Sequence, residues 1–217
     1  MKKPIPTFAF PLRLKQNMKF TTGIQKLLPF GYLFLIVMGV LKESILYYQL
    51  GINIMRYSTI TDILISPVED LVSHPLVFAV VILMAMSAYG LPAYLAKRRD
   101  KNWVKKVAGL KSGVQMNDEE SAIHFTNMFI KTLVFILLGF FSGIGVAEGF
   151  RQAKKIKTGD LNLDYTISFG NGKTEPVHLI GSNSTYCFYV TGNNKNIKIA
   201  PVGSIDQIEL TRNRRLQ

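Results

Sequence analysis

Residues 125–150, FTNMFIKTLVFILLGFFSGIGVAEGF, restrict what this chain can become more than any other stretch. An α-helix rises about 1.5 Å per residue, so about 20 apolar residues match the hydrocarbon thickness of a bilayer. This run exceeds that length, and its Lys131 and Glu148 stand near opposite ends. Two more runs of helical length lie at residues 27–50 and 76–96. Apolar residues gathered into three blocks predict a membrane α-helical protein with three transmembrane helices. A hydrophobic share of 48% spread evenly would not have done so.

The first span follows a basic segment, residues 1–26, with six Lys/Arg, no acid, and prolines at Pro4, Pro6 and Pro11. A basic start before an apolar run is also how a cleaved leader begins. No small-x-small cleavage site follows residues 27–41, however, so a retained anchor is expected. Lys42 and Glu43 fall in the second half of this span. They read either as an intramembrane ion pair or as side chains reaching the head groups from near a helix end. Residues 51–73 are too polar to cross. They hold one base, Arg56, against Asp62, Glu69 and Asp70, and Ser66-Pro67-Val68-Glu69 has the form of a helix start.

The second span is free of charge and carries Pro92 near its end. Beyond it Lys97, Arg98, Arg99, Lys101, Lys105 and Lys106 crowd together, with Trp103, Val107, Leu110 and Val114 repeating on one helical face. The pattern predicts either a surface segment on the anionic lipids of one leaflet or a solvated loop.

In the third span Gly139 and Gly143 form a G-x-x-x-G pair, extended by Ser142, Gly145 and Gly149. Such a face lets another helix approach closely. The spacing leaves open whether that helix belongs to the same chain or to a second copy in a homo-oligomer. Lys131 and Glu148 act as intramembrane polar depth markers.

After a basic linker at 151–161 the period of the pattern changes from helical to alternating. Residues 158–211 predict a small all-β domain of five short strands, barrel-like, with a hairpin turn at Asn171-Gly172. So small a unit is marginal alone and is expected to lean on neighbours or on a protein partner. Arg212, Arg214 and Arg215 form a basic tail at 212–217.

Little in the chain signals chemistry. His74, His124 and His178 share no metal-ligand spacing, and Cys187 has no partner cysteine. Phosphate-loop, nucleophile-elbow and zincin motifs are absent, so no catalytic residue, metal or cofactor is assigned and a non-enzymatic role is expected. Asn183-Ser184-Thr185 fits a glycosylation sequon or a turn. The net charge of +12 does not imply nucleic acid, because the basic residues flank the apolar runs. With the N-terminus cytoplasmic, segments 1–26 and 97–124 place thirteen Lys/Arg inside, against five in segments 51–73 and 151–161 outside, so this orientation in a bacterial inner membrane is expected.

Thr185, Phe188 and Thr191, then Asn194, Ile197, Ile199, Pro201 and Ile205, follow a strand–turn–strand pattern. Together with three spans and a glycine-bearing third span, it resembles the small-conductance mechanosensitive channel family. That family's pattern reads T…T-x-D-N…V-x-I-P-N…I. Val202 replaces its asparagine after the proline, and the third span lacks its alternating Gly/Ala seam. The resemblance implies an oligomeric channel with a cytoplasmic β domain. Residues 47–54 are also similar to a run in small bacterial membrane proteins. The function expected is channel- or sensor-like, with the β domain coupled to the spans. A scaffold subunit docking a partner through that domain and a membrane-permeabilising defence effector are the alternatives.

Overall fold

The computed structural model describes residues 12–98, 101–107, 117–192 and 195–211. Arg99, Leu110, Val114, Asn194, the N-terminal prolines and the basic tail lie outside them. All three apolar runs are helical. Helices α1 (Leu12–Tyr48), α3 (Pro75–Lys97) and α5 (Asp118–Thr158) include stretches long and apolar enough to cross a membrane. Between them lie α2 (Ile60–Ser73) and the short α4 (Asn102–Val107).

Helix α5 has 41 residues and is about 60 Å long, twice the hydrocarbon thickness of a bilayer. Its start is fixed by a capping box. The Glu120 amide donates to Asn117 Oδ1 at 2.8 Å, and the Asn117 amide donates to the Glu120 carboxylate at 3.2 Å. Its end is fixed by Gly159, whose φ of +73° is left-handed. Residues 151–158, expected as linker, are instead the last turns of this helix. No glycine or proline interrupts them, and Ile156 is buried.

Helices α1 and α5 run in the same direction. A Cβ on Gly145 would stand 2.5 Å from the Lys42 carbonyl oxygen, and one on Gly149 would stand 2.7 Å from that of Leu46. These two glycines bring the helix backbones together. Helix α3 runs the opposite way along α5, and its Leu95 packs with Val104 of α4 and Phe125 of α5.

Helix α2 starts earlier than the Ser66-Pro67 sequence implies. Thr59 is the N-cap and exchanges hydrogen bonds with Asp62, so Ser66 and Pro67 lie in the helix interior. Pro67 has no N–H, which leaves the Ile63 carbonyl without its helical donor. That carbonyl faces Gly39 of α1, and any Cβ at residue 39 would overlap it. Glycine is thus the one residue that lets α2 lie against α1 here.

The strands are β1 (Tyr165–Phe169), β2 (Thr174–Ser182), β3 (Tyr186–Thr191), β4 (Ile197–Pro201) and β5 (Ile205–Leu210). Asn171-Gly172 makes the first hairpin turn, with Gly172 at φ +78°. All neighbours are antiparallel in the order β4-β3-β2-β1-β5. The sheet is therefore open, which corrects the barrel-like expectation. Closure requires the two outer strands to pair, and β4 and β5 do not. One face curls over Ile167, Val177, Cys187, Tyr189 and Ala200. The other rests on the helices through Phe188, Leu46, Tyr47 and Ile54, so helix rather than strand covers it.

Gly39→Ala is expected to separate α1 from α2. Its cost should reach or exceed the about 1–3 kcal/mol of ordinary overpacking, because the collision is with backbone. Gly31→Ala, which enters open space, should stay within about 0.5 kcal/mol of wild type. Thermal unfolding of the two variants in the same detergent checks the difference.

Candidate functional site

Met38, Lys42 and Leu46 recur every fourth residue on α1 and are buried. An ammonium has three protons to place, and Lys42 finds three acceptors. Nζ is 2.8 Å from Asp70 Oδ2, 3.0 Å from Ser66 Oγ and 3.3 Å from Glu43 Oε1. Ser66 Oγ in turn donates to Glu43. Lys42 is 5% exposed and Asp70 7% exposed. Asp70 Oδ2, buried away from water, is met by the Lys42 ammonium. Gly145 of α5 closes over the Lys42 backbone.

A serine 3.0 Å from a lysine invites comparison with Ser–Lys hydrolases. The arrangement here is unsuited to that chemistry. An ammonium held between two carboxylates is not a base, and Ser66 is buried with its proton committed to Glu43. The cluster is an electrostatic clamp between α1 and α2.

The same helix reaches the sheet. Asp62, Ser66 and Asp70 are four apart and lie on one stripe of α2. Asp62 accepts from the Ser184 amide and the Ser184 hydroxyl, both at 3.1 Å. Asn183 Nδ2 donates to the Tyr57 carbonyl at 3.0 Å and to Ser58 Oγ at 3.3 Å. The sequon is thus a docking turn. Burial works to raise the Asp62 pKa, but hydrogen bonds from Thr59 and Ser184 outweigh it and hold the carboxyl below its ordinary range.

Aromatic contacts complete the joint. The rings of Tyr47 and Phe188 are 5.1 Å apart, and Tyr57 meets Tyr186 edge-on at 5.4 Å. Gly181 lies beneath the Tyr47 hydroxyl, where a Cβ would stand 2.6 Å away. His178 of β2 bonds the Asn162 carbonyl at 3.0 Å and the Gln152 side chain of α5 at 2.9 Å. The carbonyl only accepts, so Nδ1 carries the proton.

The expected site residues are distributed unevenly. Lys42 and Glu43 share the cluster. Glu148 pairs with Arg151 at 3.4 Å on α5, and Lys131 is exposed. Gly145 packs on α1, whereas Gly139 and Gly143 have open space where a Cβ would go, and Ser142 is half-buried. Lys97, Arg98, Lys101 and Lys106 are exposed and Lys105 is half-buried, with Arg98 4.6 Å above the Tyr94 ring. Cys187 is fully buried in the sheet, and burial pushes its thiol pKa up. Among the described residues no three His, Cys, Asp or Glu side chains converge as metal ligands. The sequence reading missed Gly39, Asp62, Ser66 and Asp70 as members of one unit. The four-residue spacing of the last three was the available signal.

Comparison with protein-family models, curated proteins and solved structures returned no match for this chain.

Lys42→Met should cost about 3–5 kcal/mol, because it leaves buried Asp70 and half-buried Glu43 without a cation. Adding Asp70→Leu should recover part of that loss, as chemical denaturation in detergent would show. Asp62→Asn addresses the joint. A carboxyl with a depressed folded pKa stabilises fully above its unfolded pKa, and the effect fades as pH falls through the lower folded value. Wild-type stability should therefore fall in acid by a component that Asp62→Asn lacks, measured as melting temperature between about pH 3 and 7.

Proposed function

We propose that the chain is a non-enzymatic integral membrane protein that couples the β domain to three membrane-spanning helices, in the manner of a sensor or channel. The observation that carries this reading is the single stripe of α2. Its Asp62 holds the docking turn of the sheet, while its Ser66 and Asp70 hold the buried lysine of α1. A displacement of the sheet pulls on α2, and α2 cannot move without opening a buried ion pair. Two contact modes on one short helix make it the transmitting element.

Homo-oligomerisation belongs to the same proposal. Gly139 and Gly143 turn away from the chain's other helices and offer a small-residue face to a second copy. The basic residues around α4 lie at the opposite end of the bundle from the sheet. The charge count accordingly favours a cytoplasmic N-terminus with the sheet outside. A second reading, a scaffold that captures a partner by strand addition, draws on β5. This edge strand exposes Ile208 and Leu210.

Lys173 sits exposed in the first hairpin turn, so Lys173→Cys reports the side of the membrane without disturbing buried Cys187. An impermeant maleimide should label it in intact cells; labelling only after lysis would reverse the orientation and agree with the channel-family resemblance. Native mass of the detergent-solubilised protein should show an oligomer that Gly139→Leu and Gly143→Leu dissociate. A monomer with no ion flux in liposomes removes the pore form of the proposal.

A further inference from the structure

The far side of the lysine cluster opens into a cavity of about 320 Å³ between α2, α3 and α5. Its wall is graded in polarity. Ile144 and Arg151 are seven residues apart on α5, about 10 Å along the axis. The end farther from the sheet is apolar at Ile144, and Val77 and Ala147 add apolar wall. The end nearer the sheet carries Glu148, Arg151 and His74, with Asp70 at the side. An apolar end next to a charged one is the profile of the boundary between acyl chains and head groups.

Both signs of charge are present. The Arg151 side chain is 62% exposed and only 3.4 Å from Glu148, so the guanidinium can be shared with an outside anion. Helix α3 begins at this cavity without a side-chain cap, and its first residue is Pro75. The Leu76 and Val77 amides therefore have no acceptor within the helix, and the positive end of the helix dipole faces the site. Two carboxylates also line the cavity, Glu148 beside Arg151 on α5 and Asp70 on α2.

We propose that this cavity seats the head group of a phospholipid bearing a primary ammonium. The phosphate meets the Arg151 guanidinium and the start of α3. The ammonium meets the carboxylates of Glu148 and Asp70. One acyl chain descends along Val77, Ile144 and Ala147. A quaternary ammonium offers no N–H to a carboxylate and is better held by the faces of Trp, Tyr or Phe, none of which lines this cavity among the described residues. An anionic head group without an ammonium, such as that of phosphatidylglycerol, gains nothing from the carboxylates. The assignment rests on the three apolar helices being membrane spans, as proposed above.

The test is native mass spectrometry of the full-length protein in detergent, offered dioleoyl phosphatidylethanolamine, phosphatidylcholine and phosphatidylglycerol separately. Wild type should retain one ethanolamine lipid with a preference of at least about fivefold over the others. Glu148→Gln should reduce that preference to within about twofold while phospholipid binding persists. Arg151→Gln, at an exposed side chain, should lower retention of all three. Equal retention by wild type, preference for the glycerol lipid, or selectivity unchanged in both variants would overturn the proposal. If Glu148→Gln does not fold, wild-type selectivity and Arg151→Gln decide alone. Alkaline carbonate separates the two levels of the argument. A protein that stays in the membrane pellet without lipid preference defeats the lipid site only, and one that is extracted defeats the membrane placement itself.

Discussion

A lysine ammonium removed from water must be met by acceptors, and two of the three that meet Lys42 arrive on α2. This constraint organises the surrounding structure. Helix α2 must lie against α1 at the depth of Lys42, which requires Gly39 where the Ile63 carbonyl passes. Helix α5 must lie over the other side of the lysine, which requires Gly145. Burying an ion pair is a weak source of net stability, since desolvation offsets most of the attraction. Its stronger effect is on uniqueness, because any slip of α2 along α1 strands charges away from water. We regard the cluster as a register device for that reason.

The same helix then sets where the sheet sits. Five strands in an open sheet of this size make a marginal unit, and its unpaired edges do nothing to help. The face around Phe188 finds cover on Tyr47, Ile54 and Tyr57 instead. Hydrogen bonds from Asn183 and Ser184 orient the contact that these rings create. Apolar burial supplies the attraction and the turn supplies the direction.

Much of this architecture was legible in the sequence, and the division follows the range of each signal. A block of apolar residues declares a helix without reference to any partner, so all three long helices were visible. Alternation in Tyr186, Phe188 and Val190 declares a strand on the same terms, as Asn171-Gly172 declares a turn. The start of α2 was misread because Ser66-Pro67 imitates a cap, while the true box, Thr59 with Asp62, stands seven residues earlier, about two turns, where no apolar run marks a start. Sheet closure was out of reach because nothing within a strand says whether it pairs on one side or both. The glycines show the limit most clearly. Helix α5 carries two pairs with the same spacing, and only the position of α1 makes Gly145 and Gly149 the close contact while Gly139 and Gly143 stay open. Lys42 and Asp70 are 28 residues apart in the chain, and no local pattern links them.

The central claim is that α2 transmits between the buried cluster and the sheet. Amide hydrogen exchange of the Lys42→Gln variant tests it most directly, read at residues 183–188, which lie outside the cluster formed by Lys42, Glu43, Ser66 and Asp70. The account predicts faster exchange both along α2 and in the 183–186 turn, because loosening the clamp frees Asp62 from Ser184. Exchange that rises only around residues 42, 66 and 70, with the turn as protected as in wild type, would contradict it.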